Sequence, residues 1–188
     1  MYPVIYPPAR LHAVLVGAGE AAVRRLKGLD AAGITVQVFS SEPGGVLAKA
    51  AGERCTARLL HAADLEGLPG VTLLLVAGLD DDVSTELAAL ARARAIPVNV
   101  EDRPALCDFH VPAVIRRGEL LLTVSTGGGA PGLAGRLRQR LEDDFGPEWG
   151  DRLDALAQAR TKWKADGADM AELRRRTREW LDQRGWFD

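Results

Sequence analysis

Two short stretches carry residues whose types and spacing could do chemistry. In VLVGAGEAA, residues 14–22, Gly17 and Gly19 follow an apolar run and Ala22 holds the third small position of a G-x-G-x-x-(G/A) arrangement. Between a strand and a helix the first glycine makes a tight turn, the second lets a pyrophosphate approach the backbone, and the third small residue lets helix pack on strand. The N-terminus of the following helix then faces the phosphates. The other stretch is IPVNVEDRPALCDF, residues 96–109, an apolar run that stops at Glu101 and Asp102. A carboxylate beside a bound nucleotide can serve as a general base, provided it reaches the proton. The plainer reading of Asp102 is an Asx-type turn before Pro104.

Both stretches need a scaffold, and the pattern from residue 11 to about 110 supplies one. Short β-rich runs at 12–16, 35–39, 56–60, 71–76 and 97–100 alternate with helical stretches at 20–32 and 82–95. This is the signature of βαβ units and a parallel sheet, so the fold class is α/β with a Rossmann-like parallel sheet. In such sheets ligands bind beyond the carboxyl ends of the strands, where Gly17–Gly19, Ser40–Glu42, Ala77–Gly78 and Glu101–Asp102 all fall. The end of the second strand reads VQVFSSEP. Ser40 or Ser41 is therefore the expected ribose contact, with Glu42 the nearest acid, and no arginine follows to receive a 2′-phosphate. That favours NAD over NADP.

After Gly118, which marks a turn, residues 119–125 form another strand, and STGGGAP leads into a helix over 132–144 with Leu133, Leu137 and Leu141 spaced by four. A strand and one helix bury too little surface alone, so this segment is expected to pair with a copy of itself or with the rest of the chain. Beyond Pro147 only helical stripes remain: Trp149, Leu153, Leu156 and Trp163, then Met170, Leu173, Thr177, Trp180 and Leu181. The expected organisation is a nucleotide-binding domain over 1–111, a strand-helix dimerisation segment over 112–145, and a small helical C-terminal subdomain over 146–188 packed by tryptophan anchors.

Hydrophobic residues make up 47% of the chain and charged ones 27%, an ordinary globular balance that argues against disorder and against a membrane protein. The start of the chain lacks the pattern of a secretory signal, and Cys55 and Cys107 show no C-x-x-C spacing, so neither a disulfide framework nor a structural metal site is expected and a reducing cytoplasm fits. A net charge of −2 gives no case for nucleic acid. Arginines thicken after residue 115. They are either solvated helix faces paired with neighbouring acids or a site for a polyanionic small molecule.

The strings VLVGAGEAA, LLLVAGLDDDVSTEL and IPVNVEDRPALCDFHVPAVIRRGELLLTVSTGGGAPGLAGRLRQRLE, in this order, resemble the precorrin-2 dehydrogenase family of siroheme synthesis over roughly residues 1–145. The resemblance implies NAD-dependent oxidation of precorrin-2, a polycarboxylated tetrapyrrole, to sirohydrochlorin, and a homodimer. Some members also insert ferrous iron to make siroheme, and some are fused to a methyltransferase. No such fusion is expected of this chain, which would need about another 200 residues for it. On the family pattern the dinucleotide loop falls on Gly17, Gly19, Glu20 and Ala21, with Ala77 on the same edge, and the ribose side on Ser41 and Glu42. The acid proposed for catalysis falls on Asp102, and Thr126 falls where some relatives carry a serine that can be phosphorylated. The helix after STGGGAP offers an exposed N-terminus, so Ser125, Thr126, Gly127 and Arg136 are the expected contacts for the substrate's carboxylates, with a plain helix-entry turn as the alternative, and no resident metal is expected. Leu79 and Thr85 depart from the family, which often has threonine and asparagine there. Another class of protein, an NAD(H)-sensing regulatory module without chemistry, would share the glycine loop but would need no acid aimed into the crevice. A ferrochelatase without dehydrogenase activity is a third reading, against which the intact loop argues.

Overall fold

The computed structural model describes residues 1–68 and 70–187. The chain divides into two compact units, Met1–Val111 and Pro112–Asp188.

The first unit is built on five strands: β1 (His12–Gly17), β2 (Thr35–Ser40), β3 (Cys55–Thr56), β4 (Leu73–Ala77) and β5 (Val98–Val100). They form one parallel sheet in the order β3-β2-β1-β4-β5. The strand order reverses at β1, so the crevice between the ends of β1 and β4 is the topological switch point where such sheets bind ligands. Helices α1 (Gly19–Ala31) and α2 (Val46–Ala51) cover one face, and α3 (Ala62–Gly67) and α4 (Asp81–Arg92) the other. The alternation of β1 sets this two-sided core. Ala13 and Leu15 pack with Leu26 and Leu47, while Val14 and Val16 pack with Leu65 and Leu87. A strand buried on both faces reads as a continuous apolar run, as AVLV does.

Helix ends follow local chemistry. After α1 the chain passes through Gly33 at φ +70°, and the amide of Ile34 returns to the Leu29 carbonyl. This is the glycine stop the sequence predicts. After α4 the equivalent left-handed position is held by Ala95 at φ +54°, with Ile96 N–H donating to the Ala91 carbonyl. An L-residue with a Cβ is strained there. Ala95→Gly is therefore expected to raise the unfolding free energy by up to about 1 kcal/mol, read from the urea midpoint.

The run expected to be a strand over 56–60 pairs only at Cys55 and Thr56. The chain turns at Arg58, whose amide donates to the Thr56 carbonyl, and Leu60 leaves the sheet to be buried under α4's layer. The short helices α2 and α3 are not among the elements expected from the sequence; six residues each give too little periodicity to be recognised.

The second unit contains an antiparallel hairpin, β6 (Ala113–Arg117) and β7 (Leu120–Val124), turned at Gly118 with φ +56°. Only its second strand is expected from the sequence, because Arg116 and Arg117 break the apolar pattern of the first. Helix α5 (Pro131–Asp144) packs against this hairpin but buries none of its residues, leaving Leu133 and Leu137 54% and 44% exposed. Helices α6 (Trp149–Ala165) and α7 (Met170–Asp182) complete it. Trp149, Trp180 and Trp186 join Phe145 in an aromatic cluster with centroid spacings of 5.0 to 6.1 Å, tilted or edge-on as ring quadrupoles favour. Many of the late arginines pair with acids on their own helix, such as Arg140 with Asp144 at 3.1 Å and Arg175 with Glu172 and Glu179 at 2.7 and 2.6 Å. These are the solvated faces of the first reading.

Among the described residues no helix is long and apolar enough to cross a membrane.

Candidate nucleotide site and its acidic turn

The glycine loop lies between the end of β1 and α1. A Cβ on Gly17 would lie 2.2 Å from the Ala77 carbonyl oxygen and 2.9 Å from Ala22 Cβ, so only glycine lets β1, β4 and α1 meet. Gly78, at φ +67°, is the reciprocal element: a Cβ there would lie 2.3 Å from the Ala18 carbonyl oxygen. The Ala18 amide donates to the Ala77 carbonyl at 3.1 Å and holds the two loops together. Gly78 is a packing partner that the motif alone does not single out.

Gly19 differs. Its φ is +65°, and a Cβ would meet nothing within 4 Å, so the space above it is open. The N-cap of α1 is Ala18, which has no side chain to cap the first-turn amides. The N–H groups that open α1, around Glu20 and Ala21, therefore point from a helix N-terminus into an open cradle. This is a binding geometry for a phosphate. The residues present fit a dinucleotide pyrophosphate.

Ser40 is fully buried, and its Oγ accepts from the Glu42 amide at 3.3 Å. It shapes the turn at the end of β2. Ser41 and Glu42, which follow it, are exposed. The floor of this corner is Phe39, with the Arg58 guanidinium 5.6 Å from its ring centroid. Asp64 fixes that arginine in a two-pronged pair at 2.6 and 2.7 Å and accepts from the His61 amide at 2.7 Å. The Arg58 hydrogen bonds, with the His61 amide, hold the Asp64 carboxyl down to about 2. A carboxyl depressed on folding contributes stability that is present above its unfolded value near 3.8 and disappears as pH falls towards about 2. Asp64→Asn is therefore expected to lower the urea midpoint near neutrality, and the gap to wild type should close on titration to about pH 2.

Asp102 follows β5. The Glu101 amide donates to the Val76 carbonyl at 2.9 Å, extending β4–β5 pairing by one residue, and the Arg103 amide returns to the Val100 carbonyl at 3.4 Å. Between them Asp102 adopts φ +56°, a left-handed conformation that asparagine and aspartate tolerate better than other L-residues. Its side chain is exposed and, among the described residues, makes no hydrogen bond or ion pair. Glu101 faces Arg24 of α1 at 3.6 Å.

Cys107 has a role that its sequence context does not reveal. Its Sγ lies 3.1 Å from the Val100 carbonyl oxygen and 3.3 Å from that of Arg103, and accepts from the Val100 amide at 3.3 Å. The half-buried thiol thus knits both ends of the acidic turn. Asp108 accepts from the Val98 amide at 3.0 Å and from Arg92 at 2.9 Å, which together hold its carboxyl below the usual range. Asn99, buried in β5, donates to the Phe109 carbonyl at 2.9 Å. The segment after the turn is pinned along the strand that precedes it.

In the second unit Ser125, Thr126 and Gly127 follow β7. The Gly127 amide donates to Ser125 Oγ at 3.4 Å, and Gly127 and Gly128 have φ of +68° and +80°. Arg136 is exposed on α5, with no ion pair among the described residues. Nor do those residues contain a His/Cys/Asp/Glu group that could hold a metal ion.

The switch-point crevice, the glycine cradle and the uncapped helix are together the architecture of a dinucleotide-binding protein. Residues 5–113 match the family model described as "Putative NAD(P)-binding", and the chain belongs to that family. It is similar to siroheme synthases: 36% identical over 162 residues to that of Pseudomonas entomophila, covering 86% of this chain and 35% of the relative, and 41% identical over 144 residues to that of Methylobacillus flagellatus, covering 77% and 31%. The chain thus spans about a third of the length of the curated relatives it matches. Its fold is that of the solved structure of SirC, a precorrin-2 dehydrogenase, with a TM-score of 0.76 over 100% of this chain and 93% of the other at 22% identity. These matches fall in the family that the sequence strings resemble.

Proposed function

We propose that the protein oxidises precorrin-2 to sirohydrochlorin with NAD in siroheme synthesis, and does so in the cytoplasm. The observation that carries the reading is the free Asp102 carboxylate, displayed on a left-handed turn at the same sheet edge as the open glycine cradle. The similarity to siroheme synthases supports the choice of substrate. Bound NAD would supply the hydride acceptor. The α1 N-terminus and Gly19 would hold its phosphates, and Ser41 and Glu42 would hydrogen-bond a ribose that carries no 2′-phosphate. Asp102 takes up the proton released when the substrate gives up a hydride, so the two-electron oxidation balances. Ser125, Thr126, Gly127 and Arg136 offer hydroxyls, an amide and a cation to the acetate and propionate groups.

Anaerobic incubation of the protein with precorrin-2 and NAD tests this reading through the rise in NADH absorbance. Absence of NADH with competent substrate would overturn it in favour of a nucleotide-sensing module. Ferrous iron, added to enzymatically formed sirohydrochlorin against a protein-free control, tests whether iron insertion follows.

The organisation proposed with this function is a dinucleotide domain over 1–111, a dimerisation segment over 112–145 and a helical subdomain over 146–188. The exposed Leu133 and Leu137 on a helix that buries no residue favour self-association through α5. Sedimentation is expected to give a dimer for the wild type and a monomer for Leu133→Asp/Leu137→Asp.

A further inference from the structure

The turn that carries Asp102 is tied down on both sides. On one side the Glu101 carboxylate, 18% exposed, lies 3.6 Å from the Arg24 guanidinium of α1. On the other, the Arg103 guanidinium pairs with Asp81 in the first turn of α4. Helices α1 and α4 pack on opposite faces of the sheet. The two ion pairs therefore pull the turn's flanking residues towards opposite faces, with Asp102 between them.

One exposed ion pair adds little to the stability of a fold. What these two act on is a local conformational choice. A left-handed residue is less favourable than an extended one unless its surroundings over-determine it. The Glu101 and Arg103 amides, bonded to the Val76 and Val100 carbonyls, and the Cys107 thiol fix the backbone at Val100, Glu101 and Arg103 but make no bond to the Asp102 amide or carbonyl between them. They leave the side chains on either side of Asp102 unrestrained. A turn free to relax at Asp102 would swing its carboxylate, and a displacement of about 1 Å in a reacting group can cost on the order of 100-fold in rate.

We infer that Glu101 and Arg103 are positioning residues, anchored by Arg24 and Asp81, which clamp the acidic turn in the left-handed conformation that aims Asp102. The inference rests on the reading of Asp102 as the base. It assigns function to the arginine and the first acid of the EDR tripeptide.

The test uses the full chain, with NADH formation from precorrin-2 as one readout and the intraresidue amide–Hα NOE of Asp102, strong when φ is positive, as the other. Asp81→Arg and Arg103→Asp are each expected to lower kcat by about tenfold or more, leave NADH affinity within about twofold, and weaken that NOE. The exchanged pair Asp81→Arg/Arg103→Asp is expected to recover both readouts. Asp82→Arg, the neighbouring charge reversal in the same helical turn, is expected to change neither. Arg103→Ala, which places no new charge, covers the case in which a reversal impairs folding, and should lower kcat with the thermal midpoint preserved. Wild-type kcat and an unchanged NOE in Asp81→Arg and Arg103→Ala would overturn the clamp, as would an exchanged pair no better than its single parents. The underlying reading fails separately: full activity in Asp102→Asn removes the base, whereas an inactive Asp102→Asn beside a fully active Arg103→Ala removes only the clamp.

Discussion

Asp102→Asn is expected to lower kcat for NADH formation by roughly 10²- to 10⁴-fold, the range that a positioned acid–base group contributes. NADH affinity and the thermal midpoint should remain near wild type. Asparagine is the informative replacement because it matches aspartate in size and shares its tolerance of the left-handed region. The turn at φ +56° therefore survives. No hydrogen bond or ion pair of the Asp102 side chain is lost among the described residues, so nothing in the fold should register the change. Only the capacity to accept a proton disappears. Asp102→Gly makes the same cut with the backbone strain removed, and should be inactive and no less stable. Steady-state kinetics and NADH fluorescence titration check both variants; a kcat unchanged in either would move the base elsewhere.

Gly17→Ala and Gly19→Ala are expected to fail in different ways. At position 17 the new methyl would stand 2.2 Å from a backbone oxygen of β4 and 2.9 Å from Ala22, so strand and helix must part. Overpacking of this kind costs about 1–3 kcal/mol and at times more. The thermal midpoint should fall together with cofactor affinity. At position 19 the methyl has space, and the cost is that of φ +65° for an L-residue, about 1–2 kcal/mol. Its methyl stands where the phosphates approach. Cofactor affinity is therefore expected to drop about tenfold or more with a smaller fall in the midpoint. Thermal melts run beside NADH titrations separate the two; equal behaviour would mean that the loop is a plain turn.

The parallel sheet was legible because a strand buried on both faces leaves an unbroken apolar run, as at residues 13–16. The edge strand β3 was overread for the same reason. Leu59 and Leu60 are apolar because they pack beneath α4, and apolarity alone cannot say whether a residue pairs in a ladder or seals a layer. Strand β6 was hidden by Arg116 and Arg117, on a hairpin whose residues are mostly half-exposed. The glycine cradle was visible as a motif, but the division of labour between Gly17, which closes packing, and Gly19, which leaves space, depends on atoms 60 residues away in the sequence. The thiol of Cys107 acts within seven residues, yet nothing in LCDF says that its sulfur will bridge two carbonyls and an amide of the preceding turn. The pairing of Arg103 with Asp81 likewise joins the segment after β5 to the first turn of α4, a proximity that the pairing of β4 with β5 creates.

The burial of Ser40 has an evolutionary consequence. The hydroxyl that builds the corner at the end of β2 is not one of those presented to a ligand, whereas Ser41 and Glu42 face outward. Mutational drift at those two exposed positions carries little folding penalty, since surface substitutions of this kind usually stay within about 0.5 kcal/mol. With the ribose contacts proposed for Ser41 and Glu42, nucleotide preference would be free to diverge between lineages without compensating change in the core, and a redesign for a phosphorylated cofactor would begin at 41 and 42 with Ser40 left in place.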